Sequence, residues 1–327
     1  MQIDPQAFEQ YRQSPNEKTT LVRLILGTLI VVIAWIVATF ATVSAGAYFH
    51  AVQLANSGQP VNSSVMASFM ASPAGILTAL MSFAGIWIGL WVVMRWVHRE
   101  RIGALFGNSS RISRDAFFKG LVAVVITSVI SEVLLYLLRP EIARGSISIG
   151  SWMLFLVPIV ILTFIQTSSE ELLFRGYLPR ALAKLFRSPI IWGVIPLIMF
   201  TSLHWSPTTG TTMNLAGLGA IGAFAIVLMI LVYVTGNLGA AFGAHLGNNL
   251  FGFLLISHQE SYNAFALFTA APLEGPGWDS TDALLVTAIG IVASVLTLLL
   301  LVHPRSFLRV SPDLAANIRQ APQLAPT

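Results

Sequence analysis

The sequence predicts an all-α, polytopic transmembrane helix bundle of about eight helices, and three observations carry that prediction: sparse charge, apolar runs of bilayer length, and basic loops that alternate. Of 327 residues, 55% are hydrophobic and 10% charged, with a mean hydropathy of +0.77. A soluble globular chain carries roughly a quarter charged residues. Charge this sparse cannot solvate a whole surface, so lipid must cover much of it.

A spanning helix needs roughly 17 to 25 mostly apolar residues. By that measure the helices fall at about 21–49, 74–95, 120–138, 151–183, 190–205, 215–235, 237–257 and 283–302. If these all cross, loops must alternate sides, and the basic residues test it. Sixteen of the 18 Lys and Arg lie in the N-terminal segment, the second and fourth loops and the C-terminal segment. Only Arg139 and Arg144 fall in an odd-numbered loop, and the seventh loop instead carries Glu260, Glu274, Asp279 and Asp282. Lys and Arg collect on the cytoplasmic side, so both termini are expected there.

Taken in order, residues 1–20 read as a polar cytoplasmic segment. They lack the basic start and short apolar core of a cleavable signal, so 21–49 reads as a retained first helix. Residues 21–150 hold helices 1–3. Within them, Ile102 to Lys119 mixes Phe106, Ile112 and Phe117 with Arg111 and Arg114, which suits either a segment lying flat on the membrane or a solvated loop. Residues 151–257 hold helices 4–7, 258–302 a loop and helix 8, and 303–327 a cytoplasmic tail expected to be disordered from Pro312. The pI near 9.7 does not indicate nucleic acid, because the basic residues are dealt out between apolar runs instead of forming a patch. With no cysteine, disulfides, thiolate metal sites and a cysteine nucleophile are all excluded.

Ionisable side chains inside a bilayer cost about 2.5 to 3.5 kcal/mol each on insertion scales, so each needs a reason. In the fourth helix, Glu171 and Arg175 are four apart on one face and can neutralise each other. Glu170 lies about 100° around and has no such local partner. Phe200 and His204 are four apart in the fifth helix, as are His245 and Asn249 in the seventh. Gly239, Gly243 and Gly247 point nearly opposite to His245 and Asn249, and glycines at this spacing admit a close neighbouring helix. One face of that helix is thus expected to pack and the other to meet a cavity.

Depth makes the same point. At about 1.5 Å per residue, Glu170 lies roughly 15 Å from Arg180, His204 roughly 22 Å beyond Ile190, and His245 roughly 12 Å beyond Asn237. All three fall near mid-membrane, where Pro158 and Pro196 give two of the helices room to bend. A buried carboxylate beside histidines suits activation of water for hydrolysis, with an imidazole or amide N–H stabilising an oxyanion. The same Glu170, His204 and His245 have donor atoms that suit a divalent metal such as Zn2+, and residue types alone leave that open.

These residues resemble a known pattern, the CAAX-protease and bacteriocin-processing (CPBP) family, which includes the type II CAAX prenyl endopeptidases. Its EExxxR, FxxxH and HxxxN/D motifs read here as Glu170-Glu171-Leu172-Leu173-Phe174-Arg175, Phe200-Thr201-Ser202-Leu203-His204 and His245-Leu246-Gly247-Asn248-Asn249, in order, over roughly residues 151–257. The resemblance implies a multi-pass membrane protease, glutamate-dependent or metal-dependent, acting on a membrane-associated or lipidated protein or peptide. It implies that Glu170 activates water with support from His204, that His245 and Asn249 hold the oxyanion, and that Glu171, Arg175 and Phe200 support them. A bacterial plasma (inner) membrane is the expected location.

Plainer readings stand beside these. Glu171 and Arg175 read as a structural ion pair, Phe200 as packing that holds His204, and Glu132 as a paired residue or cavity lining outside the site. His50, His98, His258 and His303 read as interfacial. Gly217-Leu218-Gly219-Ala220-Ile221-Gly222 matches a dinucleotide fingerprint, but it lies in a membrane helix without the preceding strand and so reads as packing. HExxH is absent, and all five aspartates fall outside the expected helices. A transporter using the same polar groups, or a catalytically silent scaffold or immunity protein, are the competing functions, although no paired half-repeat of the transporter kind is visible.

Overall fold

The computed structural model describes residues 6–62, 64–260, 262–275 and 277–314. It is a helical membrane bundle. In chain order the helices are α1 (Gln6–Gln13), α2 (Leu21–Asn56), α3 (Val65–Met70), α4 (Pro73–His98), α5 (Arg114–Leu138), α6 (Ile149–Leu185), α7 (Ile190–Ser202), α8 (Thr211–Thr235), α9 (Gly239–Leu250) and α10 (Ser280–Val302). Six of these, α2, α4, α5, α6, α8 and α10, are long and apolar enough to cross a membrane. The other two expected positions are filled by α7 and α9, which are shorter; a π-helical turn, Phe251–Leu255, extends α9.

Several helices start earlier than their apolar runs because polar caps set the true boundary. Ser113 caps α5, Ser148 caps α6, and Asp279 caps α10 through a capping box with Asp282. Each side-chain oxygen accepts a backbone N–H that the first turn would otherwise leave unpaired. Residues 114–119 are therefore the first turns of α5, and neither a flat surface segment nor a loop. Asp115 and Asp282, expected in loops, stand in the first turns of α5 and α10.

The end of the bundle that carries both described termini is tightly built. The expectation of a featureless polar N-terminus misses α1, whose Phe8 and Tyr11 are buried. Phe8 packs on Trp192 and Tyr233, and the Tyr11 hydroxyl donates to the Leu105 carbonyl at 2.7 Å. Nor is the tail loose from Pro312. Asp313 is buried, its Oδ2 accepting from the Asn237 side chain at 2.8 Å and from the Ser109 hydroxyl at 2.8 Å, while its backbone N–H donates to the Thr235 carbonyl. The part of the expected tail from 315 to 327, and residues 1–5 of the N-terminal segment, lie outside the described residues. His98 is buried, contrary to an interfacial reading, with its Nε2 3.0 Å from the Tyr177 hydroxyl.

At the opposite end a three-stranded sheet joins the loops. β1 (Ile142–Arg144) pairs antiparallel with β3 (Phe268–Ala270), which pairs parallel with β2 (Ile256–Ser257). The two basic residues that broke the alternation are both held here. Arg139 pairs with Asp282 at 2.8 Å and lies 4.8 Å over the Trp278 ring; Arg144 donates to the Leu267 carbonyl at 2.6 Å.

The most extensive helix contact is between α5 and α9, followed by α8 with α10. The glycines explain the first. A Cβ on Gly239 or Gly243 would collide with the backbone carbonyl of Ser113 or Phe117, one on Gly247 would come within 3.1 Å of the Leu121 carbonyl, and one on Gly120 would strike Ala240. The glycine face packs against α5, and His245 points the other way. Gly219 and Gly222 pack against Thr287 and Thr201, but Gly217 meets nothing within 4 Å.

Candidate active site

The site is built where α6, α7 and α9 meet. In α6 the Glu170-Glu171 pair is followed at once by a π-helical turn, Leu172–Tyr177. Pro179, just beyond, has no N–H to return to the preceding turn, and a widened turn accommodates that gap. The turn buries Arg175, with 2% of its surface exposed, directly below the fully buried Glu171.

Glu171 is a junction, not merely one half of a helix pair. Its Oε1 accepts from Arg175 Nη1 at 2.9 Å and from His245 Nδ1 at 2.8 Å. Since an ionised carboxylate only accepts, Nδ1 carries the hydrogen and His245 Nε2 is turned toward Glu170. That nitrogen is 3.5 Å from Glu170 Oε2, within ion-pair range but without hydrogen-bond geometry. Glu170 Oε2 is buried and has no hydrogen-bond partner, as are Glu171 Oε2 and Arg175 Nη2.

Phe200 is what lets FxxxH work as a unit. Its ring lies under the Arg175 guanidinium at 4.1 Å, against His204 at 4.7 Å and His245 at 5.9 Å between centroids, and edge-on to Phe174 at 5.5 Å. A cation over a buried aromatic face gains roughly 1 to 2 kcal/mol. One ring therefore touches the charged support and both imidazoles. His204 Nδ1 donates to the Phe200 carbonyl at 2.9 Å, which leaves Nε2 as an acceptor on the open side.

His204 stands just past the end of α7 and is exposed from the bundle. Trp192 stacks on Tyr233 near the C-terminal end of α8, whereas Thr201 lies level with Gly222. The helix α8 continues from Gly222 to Thr211, about 16 Å further. Residues 203–210 climb that distance without helix, held by Asn214, which accepts from the Ser206 N–H and donates to the Ser206 and Thr209 carbonyls. Irregular backbone at membrane depth would persist only against protein or water.

Asn249 is half-buried, and its Nδ2 donates to Gln166 Oε1 at 3.2 Å. Gln166 Nε2 in turn donates to Glu170 Oε1 at 3.3 Å. Sequence reasoning missed Gln166, although it precedes Glu170 by four residues, the spacing that paired Glu171 with Arg175.

Among the described residues no three His, Asp or Glu side chains gather closely enough to hold a metal ion. Glu170, His204 and His245 are not gathered as such a group, although the Nδ1 hydrogen bonds of the two imidazoles leave both Nε2 atoms unoccupied. Glu132 lies outside the site, as expected, and pairs with His258 Nε2 at 3.0 Å. Two cavities lie elsewhere. A polar one of about 240 Å³ is lined by Ser14, Glu100, Arg101 and Arg180, and an apolar one of about 210 Å³ by Leu121, Trp152 and Leu254; none of Glu170, His204 and His245 lines either.

Comparison with known proteins covers the same segment. The chain is 24% identical over 204 residues to the uncharacterized protein YyaK of Bacillus subtilis (strain 168), spanning 62% of this chain and 68% of that protein. No solved structure matches. Residues 150–251, which run from the start of α6 to the end of α9 and carry all three motifs, match the family described as type II CAAX prenyl endopeptidase Rce1-like.

Proposed function

We propose that this protein is an intramembrane endopeptidase that hydrolyses a peptide bond with water activated by Glu170. The observation that carries the reading is a buried carboxylate oxygen, Glu170 Oε2, left without a hydrogen-bond partner and 3.5 Å from His245 Nε2. Buried polar atoms are nearly always satisfied, so an orphan beside an imidazole supports a place where something binds.

In the reaction, Glu170 Oε2 takes a proton from water as the water oxygen bonds to the scissile carbonyl carbon. His204 Nε2, free as an acceptor, steadies that water. The oxyanion receives a hydrogen bond from Asn249 Nδ2 and, with both ring nitrogens of His245 carrying hydrogen, a second from His245 Nε2, whose ring orientation Glu171 fixes. Glu170 then returns the proton to the amide nitrogen as the C–N bond breaks, leaving an amine and a carboxylic acid that releases its proton to water. General acid–base transfer of this kind contributes about 10²- to 10⁴-fold, and a donor to the oxyanion about 10²- to 10³-fold. These steps use only the chain's own residues, and on this reading cleavage persists in 1,10-phenanthroline.

The substrate is a membrane-associated protein or peptide. The family match supports a lipidated C-terminus, and the likeness to a Bacillus protein supports a bacterial plasma membrane as the location. The test is cleavage by purified protein in liposomes of a farnesylated CAAX peptide, the same peptide unlipidated, and a library of leader and membrane-segment peptides. Loss of cleavage in both Glu170→Gln and His204→Ala supports the site; undiminished cleavage in both refutes it. Glu170-dependent ion flux without proteolysis would instead favour a transporter.

A further inference from the structure

We infer that Gln166 is a positioning residue, which holds Glu170 and Asn249 in one hydrogen-bonded line and decides which oxygen of Glu170 meets the water. The inference rests on the reading above but adds a residue outside all three motifs.

The direction of the line follows from what each group can do. An ionised carboxylate offers only acceptors, so the Gln166 amide must turn its NH₂ toward Glu170 Oε1, at 3.3 Å. Its carbonyl oxygen then faces Asn249, which must present its own NH₂, at 3.2 Å. Asn249 Oδ1 is left to accept from Asn248 Nδ2, also at 3.2 Å. Fixing one end fixes every amide, so Asn249 keeps its second N–H free for an oxyanion. A flipped Asn249 would turn an oxygen toward that charge and repel it.

The same line divides the two oxygens of Glu170. Oε1 is occupied by Gln166 and Oε2 has no partner, so the proton taken from water arrives on Oε2 while Oε1 keeps its hydrogen bond. Gln166 is half-buried at the open side of α6, and its side chain spans from α6 to α9. It can be changed without emptying the core.

The experiment compares Gln166→Leu, Gln166→Glu and Gln166→Asn with the wild type, on whichever peptide of the liposome panel the wild type cleaves. A hydrogen bond to a charged group sets the scale: in Gln166→Leu, kcat falls about tenfold or more, with KM within about twofold. Gln166→Glu falls further, because a second carboxylate faces Glu170. Gln166→Asn, which keeps the amide on a shorter arm, recovers part of the loss. Gln166→Leu combined with Asn249→Ala loses less than the two effects multiplied.

A second readout needs no substrate. The infrared carboxylate band that disappears in Glu170→Gln is expected to shift in Gln166→Leu. A merely structural role would lower thermal stability and leave that band and the kcat-to-KM split alone. Wild-type kcat and an unmoved band in Gln166→Leu, with Glu170→Gln inactive, overturn this inference and leave the protease reading standing. Full activity in both variants overturns both.

Discussion

Among the described residues two histidines meet glutamates, His258 at Glu132 and His245 at the Glu170–Glu171 pair, and the two places differ in what they leave over. At the outer end, His258 Nε2 lies 3.0 and 3.2 Å from the two oxygens of Glu132, and its Nδ1 faces the Ala271 carbonyl at 3.4 Å. Every polar atom of that pair has a partner. In mid-bundle, His245 and Arg175 crowd onto a single oxygen of Glu171, while Glu170 Oε2, Glu171 Oε2 and Arg175 Nη2 have none. The closed pair is a fastener for the outer loop. The open one retains the capacity to bind something else, since leaving buried polar groups unmade costs about 1 to 3 kcal/mol each.

The sharpest way to break this comparison is to neutralise each carboxylate in turn. Glu170→Gln is expected to lower kcat by about 10³-fold or more, in the range of lost general-base catalysis, with its thermal unfolding near wild type. Glu132→Gln leaves kcat within about twofold. Equal losses in the two variants would erase the distinction.

Next in size is the support beneath the site. Removing Glu171 strands a guanidinium and an imidazole in a region where neither is solvated, and breaking such a buried pair costs about 3 to 5 kcal/mol. Glu171→Ala should therefore yield little folded protein, scored by size-exclusion monodispersity and unfolding temperature in detergent. Arg139→Ala removes a part-exposed pair and should lower the unfolding temperature far less than Glu171→Ala. The same comparison places His258→Gln lower than Glu171→Ala, at about 1 kcal/mol of stability with cleavage intact.

The smallest effect is one of access. The chain has no cysteine, so single cysteines report without background. Trp205→Cys, in the non-helical stretch beside His204, should react with a hydrophilic maleimide in liposomes. Phe40→Cys, exposed on the outer face of α2 within its apolar run, should stay unlabelled. Similar labelling of both would show residues 203–210 to be no more open to water than that face.

Much of the architecture was legible because hydrophobic thickness is a one-dimensional signal. A run of apolar residues announces a span whatever it packs against, and all eight positions are occupied by helices. What that signal cannot carry is a short amphipathic element such as α1, whose eight residues include only a few apolar side chains yet bury Phe8 and Tyr11. Likewise Asp313 reads as a polar tail residue until Asn237, Ser109 and Thr235 are brought beside it by the fold.

The site divides along the same line. Same-helix spacing gave the Glu171–Arg175 pair and the two faces of α9 directly. The Glu171–His245 bond joins residues 74 positions apart and has no local trace. His258 was read as an interfacial residue for the same reason, because its partner Glu132 is 126 positions away. Gln166 is the instructive omission: an amide in an apolar run, four residues before a catalytic candidate, is a local signal that the spacing rule already covers.

The glycine seam between α5 and α9 has a mechanical consequence. Helices held apart by side chains can slide as rotamers change, but where carbonyl meets bare backbone there is no such play. The wall bearing His245 and Asn249 is therefore stiff, so on the protease reading a polypeptide is admitted by movement of α7 and the non-helical link after it.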